Sequence, residues 1–315
     1  MATRALVLAG GGIAGIAWES GVLEGLHEAG VDTSRWDLVV GTSAGSFVGA
    51  RLLGDGSPEP LYRLQTRSPS SEEEAALKRL FGGSFWLAVT LARRRRLAWV
   101  GLVWLVSVMV TALVRFAAHR GVKRTFQLAS SMRKARSDPN AAQAIAAVVG
   151  AVAEMTPRRR ERELGNYWSD ALESVRDWPP TRLVTTAIDI KDGSRQTFDS
   201  SSNVTLSTAI AASACLPGLL PPVRINGGRY IDGGLGSSAN ADLASGFDEI
   251  WILSPFEATS LDAEVERLAA GGAEVHLITA GDRRDLGLGI AVMDPAGRVA
   301  AARAGYRLGL AIDRN

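Results

Sequence analysis

The chain has a single cysteine, Cys215, among its 315 residues. An intrachain disulfide is thereby excluded, as is a cysteine-rich metal site. A reducing, cytoplasmic compartment is the expectation that follows. Histidine is nearly as scarce: His27, His119 and His276 are the only three, so an imidazole base has few places to come from. A surplus of one charge is missing too. The formal charge is +2, which argues against a general polyanion binder and against nucleic acid as a partner. No internal repeat is present. The opening apolar run, Ala5 to Ala9, is too short for a signal peptide and reads as a first strand that is kept.

What the chain does contain is globular, with 46% hydrophobic and 22% charged residues, too apolar for disorder. Ala5-Leu-Val-Leu-Ala9 runs into Gly10-Gly11-Gly12, the pattern of a buried parallel strand. A helix follows, with Trp18, Val22 and Leu26 recurring every four residues and Gly30 as its C-terminal cap. Leu38-Val39-Val40 is a second buried strand, and a second helix covers about Ala44 to Leu53, ended by Gly54-Asp55-Gly56. This alternation predicts a parallel sheet with helices on its faces. From 57 to about 176 the pattern is helical, rich in arginine and alanine. Strand signals return at Leu183 to Ile188 and Gln196 to Phe198, with a turn at Asp192-Gly193 and a hairpin at Asn226-Gly227. Glu249 to Leu253 and Val275 to Thr279 read as further buried strands, and Ala296 to Leu310 as a closing helix. The simplest architecture is one domain over 1–315, its sheet built from the two ends of the chain with a helical insertion at about 57–176.

Three motifs carry chemistry. Gly41-Thr42-Ser43-Ala44-Gly45 sits between a strand and a helix. A serine on such a sharp turn projects its hydroxyl above the sheet, and the helix behind it points a positive end at a developing oxyanion. The bland alternative is a serine that merely caps the helix. Gly10 to Gly15 satisfies the spacing of a dinucleotide loop, but that reading needs an acidic residue closing the second strand, and Asp37 opens it. The amides of Gly10, Gly11 and Gly12 instead suit an oxyanion hole beside Ser43. A serine also needs a base. His276 follows in the chain order of a hydrolase triad but lies within a strand-like run, where a core histidine is the better reading. Asp232, at the end of Arg229 to Ile231 and before Gly233-Gly234, can take the proton directly if partly desolvated.

Taken together, Gly10 to Gly15, Gly41 to Gly45 and Asp232 to Gly234 resemble the patatin-like phospholipase family. Ala212-Ser213-Ala-Cys-Leu-Pro217 looks like a further family signature. The resemblance covers about residues 5 to 55 and 180 to 310. It implies an α/β fold, a three-layer α/β/α sandwich around a mostly parallel sheet with a helical lid insertion. It further implies a Ser43–Asp232 dyad, an oxyanion loop at Gly10 to Gly12, and structural roles for Gly15, Gly41, Gly45, Gly233 and Gly234. The implied substrate is a lipid or phospholipid ester cleaved through an acyl-enzyme, with no metal or cofactor. One departure stands out: Ala14 occupies the position where the family usually carries arginine or lysine. Acyl transfer by the same dyad, or lipid binding with weak catalysis, are the competing readings.

Leu97 to Val114 is 18 residues without a charge, near the lower limit for a membrane span. Arg93 to Arg96 precede it, and Arg115, Arg120, Lys123 and Arg124 follow. Positive charge on both sides gives no orientation signal. An interfacial lid that docks this segment and its arginines on a membrane surface is the favoured reading, with a buried helix or a single span as alternatives.

Overall fold

The computed structural model describes residues 2–82, 85–86, 89, 159–257, 259–281 and 292–312. The Leu97 to Val114 segment, its flanking arginines and His119 lie outside them. Strands β1 (Arg4–Leu8) and β2 (Leu38–Thr42) alternate with helices α1 (Gly12–Glu28) and α2 (Ala44–Asp55). Helices α3 (Glu59–Thr66), α4 (Ser71–Phe81) and α5 (Arg159–Ala171) follow. The second half holds β3 (Arg182–Asp189), β4 (Arg195–Phe198), α6 (Leu206–Ser213), β5 (Val223–Ile225) and β6 (Gly228–Asp232). The chain then completes the sheet with β7 (Glu249–Ser254), α7 (Thr259–Ala270) and β8 (Glu274–Thr279), before α8 (Arg298–Leu310). Among the described residues, no helix is long and apolar enough to cross a membrane.

All the strands belong to one sheet whose hydrogen-bonded neighbours run β5-β6-β3-β2-β1-β7-β8, with β4 also paired to β3. The pairs from β3 across to β8 are parallel; those among β3, β4, β5 and β6 are antiparallel. Side chains alternate across the strands. Leu6 and Leu8 therefore join Trp18, Val22 and Leu26 of α1 on one face. Ala5 and Val7 face the other way, with Leu261 and Leu268 of α7. Helices on both faces make three layers, as the strand–helix alternation predicts. Each fully buried side chain of leucine size contributes roughly 1.5–3 kcal/mol. α8 lies against α1 so closely that a Cβ on Gly21 or Gly25 would overlap the α8 backbone.

Helix α2 runs to Asp55 and is capped by Gly56 at φ 76°, within the Gly54-Asp55-Gly56 stretch that the sequence marks as its end. A Cβ on Gly54 would overlap Val175, so the glycine serves the packing of α2 at that point. The hairpin at Asn226-Gly227 forms as expected, with both residues at positive φ between β5 and β6. His276 differs from a core histidine: it lies on the outer strand β8, a third exposed, stacked on Trp251 at 4.2 Å and 3.4 Å from Glu274. Its neighbour in sequence, Leu277, is also exposed, so β8 is a sheet edge and not part of the buried middle.

Candidate active site

The register of β3 brings the two ends of the chain to one point. Thr186 pairs with Thr42 of β2 on one edge and Thr197 of β4 on the other. The next residue, Ala187, pairs with Gln196 of β4 and with Asp232 of β6. Since β4 holds one edge throughout, β6 occupies the edge that β2 has just left. Ser43, the residue after Thr42, is thereby set beside Asp232. The Ser43 hydroxyl donates to Asp232 Oδ2 at 2.7 Å.

Ser43 holds φ 52° and ψ −113°. Among the described residues, every other non-glycine at positive φ is an asparagine, the residue type that tolerates that region best. This strained turn throws the hydroxyl outward instead of letting it cap α2, and indeed Ser43 makes no side-chain cap bond. The flanking glycines permit the turn. A Cβ on Gly45 would overlap the Leu8 carbonyl, and one on Gly41 would overlap Ser46. Beneath the turn, Thr42 Oγ1 lies 3.0 Å from Thr186 Oγ1, and the Asn240 side-chain amide donates to both hydroxyls. A buried network with its partners satisfied rigidifies its surroundings.

The Asp232 side chain receives a second bond, from the Gly234 N–H to Oδ1 at 2.8 Å. A Cβ on Gly233 would overlap Thr186, so glycine there lets the strand turn away directly after Asp232. Burial pushes the Asp232 carboxyl up to about 6, with the hydrogen bonds from Ser43 and Gly234 opposing it. A carboxylate of that basicity next to a hydroxyl can accept its proton near neutral pH.

The glycine loop departs from the sequence reading at one residue. The Gly10 N–H donates to the Ser238 carbonyl at 2.8 Å, so Gly10 anchors the loop and has no amide left for a ligand. The amides of Gly11 and Gly12 make no such bond among the described residues. Gly12 has φ 62°, and a side chain there would run into Met293. Gly15 closes the loop by donating its N–H to the Gly11 carbonyl at 2.8 Å. Ala14 is 2% exposed, packed into the core below the loop, which leaves no cation at that position. His27 is far from any such role, paired with Thr33 at 3.2 Å.

Gly10 to Gly12, Ser43 and Asp232 open onto one cavity of about 600 Å³. Its remaining wall is mostly apolar and includes Leu80 and Phe81 of α4, Leu164 and Trp168 of α5, and Leu216 and Met293. Apart from Leu216, which belongs to the Ala212 to Pro217 signature, the sequence reading did not single out these wall residues, nor Ser238 or Asn240. Ser238 and Asn240 sit in a loop with no regular pattern, and only the fold reveals that it passes under the serine turn. No group of residues that could hold a metal ion occurs among the described residues.

The site is thus a serine hydroxyl on a strained strand–helix turn, bonded to a buried carboxylate, with both residues lining an apolar cavity. The chain matches the family described as patatin-like phospholipase over residues 6–245, and it belongs to that family. Over 57 residues it is 47% identical to the lysophospholipase nte1 of Aspergillus oryzae, a stretch that is 18% of this chain and 3% of that protein. The nte1 of Aspergillus fumigatus gives the same identity over 18% of this chain and 4% of its own length. The chain therefore spans only a small part of these curated relatives. Among solved structures, VipD from Legionella pneumophila aligns over 98% of this chain and 66% of its own, at 14% identity and a TM-score of 0.45.

Proposed function

We propose that the protein is a lipid acyl hydrolase in which Ser43 and Asp232 form a catalytic dyad. The observation that carries this reading is the 2.7 Å hydrogen bond from the Ser43 hydroxyl to Asp232 inside an apolar cavity. Asp232 accepts the Ser43 proton as Oγ attacks the ester carbonyl. The Gly11 and Gly12 amides donate to the oxyanion that forms, helped by the positive end of α2. Collapse expels the alcohol, which takes the proton from Asp232, and leaves the fatty acyl group on Ser43. Water, deprotonated by the same carboxylate, then releases the acid. The apolar wall suits an acyl chain, and the nte1 relatives, named lysophospholipases, favour a phospholipid-derived ester as substrate.

A fluorophosphonate probe tests the nucleophile. The reading requires that it label the native chain and not Ser43→Ala; labelling that persists in the variant overturns it. Acyl transfer to an alcohol in place of water uses the same dyad, and product analysis with a competing alcohol separates the two. The membrane part of the proposal rests on sequence: Leu97 to Val114 and the arginines around it dock on anionic lipid. Sedimentation with vesicles that is indifferent to anionic lipid content would remove it.

A further inference from the structure

The stretch Ala212 to Pro217 stands out in the sequence but has no part in the chemistry above. Ser213 ends α6 and is fully buried. Its Oγ accepts the backbone N–H of Ser43 at 2.9 Å. Two residues further on, the Cys215 carbonyl accepts the backbone N–H of Asp232 at 3.0 Å. One short segment thus grips the backbone of both members of the pair, each immediately at the reacting residue.

The grip on Ser43 matters because of where that N–H lies. It belongs to the residue before α2, so no turn of the helix can supply its acceptor. Ser43 also sits in a backbone region that a serine enters only when its surroundings hold it there. From the other side, the Ser43 carbonyl is held by the Ser46 hydroxyl at 2.6 Å. If the Ser213 acceptor were lost, a buried N–H would have no partner, and relaxing the turn would be the way to find one. Relaxation swings Oγ away from Asp232.

We infer that Ser213 is a positioning residue: its hydroxyl holds Ser43 in the reactive turn and, with the Cys215 carbonyl, sets the distance between Ser43 and Asp232. The inference rests on the dyad reading above and adds a residue that touches neither the ester nor the transferred proton.

The test is a comparison of Ser213→Ala with the native chain on a short soluble ester, together with fluorophosphonate labelling rates. Orphaning one buried donor corresponds to a loss of roughly 10- to 100-fold. That loss is expected in kcat and in labelling rate, with KM within about twofold, since no cavity wall changes. The pH profile should move as well. The Ser43 bond holds the Asp232 carboxyl down from where burial alone would put it, so the acid limb should rise above about 6 when that bond loosens. A purely structural role would not shift it. Ser213→Cys, of similar size but with a weak acceptor, should show the same two changes and carries the test if the alanine variant does not fold. Ser43→Ala and Asp232→Asn serve as controls. If both are inactive while a folded Ser213 variant keeps native kcat and an unmoved acid limb, the positioning role is overturned and the dyad stands. If either control retains native activity, the dyad itself fails, and this inference falls with it.

Discussion

Replacing Asp232 by asparagine should make the protein more stable and less active, and the two effects have the same origin. Burial holds the carboxyl near 6 against an ordinary value of 3.8. The folded state therefore keeps a proton that the unfolded chain releases between those values. Stability must fall as pH rises through that window, because the ionised carboxylate is better solvated when unfolded. A difference of roughly two units amounts to about 3 kcal/mol once the pH is well above 6. Asparagine keeps the geometry: its oxygen can accept the Gly234 N–H, and its amide can donate to Ser43. It carries no charge at any pH, so it avoids the cost. Asp232→Asn should thus match the native chain near pH 4 and exceed it by about 3 kcal/mol at pH 8, or about 5 °C in midpoint for a chain of this size. Denaturant unfolding at the two pH values measures the gap, and ester hydrolysis should drop by several orders of magnitude alongside. A gap that is the same at pH 4 and pH 8 would refute the argument that Asp232 is buried and strained by its charge. A variant that retains activity would refute its role as base.

Three further outcomes follow from the same geometry. The rate of ester hydrolysis should fall away below about pH 6, as the Asp232 carboxyl takes up the proton it must otherwise accept; a profile flat down to pH 4 would point to another base. Glu19 is fully buried, and neither carboxylate oxygen reaches a hydrogen-bond partner of good geometry. Burial raises its pKa well above 4.5, and the neighbouring Ala9 backbone offsets this only in part. The native chain should therefore lose stability relative to Glu19→Gln as pH rises above about 4.5, a trend that parallel thermal melts would reveal or deny. Gly45→Ala forces a methyl into the Leu8 carbonyl, for which roughly 1–3 kcal/mol of destabilisation is expected from overpacking alone. Circular-dichroism melts check that figure, and a melt equal to the native one would show that the turn has room to spare.

The fold and the candidate site were legible in the sequence to different depths, and for different reasons. Continuous apolar runs such as Ala5 to Ala9 and Leu38 to Val40 announce strands buried on both faces, because only a parallel sheet between two helix layers conceals both sides of a strand. Glycines were legible wherever a neighbouring backbone sits against them, as at Gly41 and Gly45. Gly56 supplies the left-handed cap expected of the Gly54-Asp55-Gly56 stretch, while Gly54 answers to Val175, a contact 121 residues away in the chain that no local pattern contains. His276 was misread because alternation reports that a segment is a strand, while being an edge strand depends on what lies beside it. The pairing of Ser43 with Asp232 was approached by elimination among few histidines and by resemblance. Its physical basis is the register of β3, where adjacent residues hand one sheet edge from β2 to β6. Registry of that kind is fixed by which faces are buried across several strands at once. The same long-range register explains Ser213. Its side chain acts only through a hydrogen bond to a residue 170 positions away, so the sequence could mark the stretch as unusual while leaving its work to be read from the folded chain.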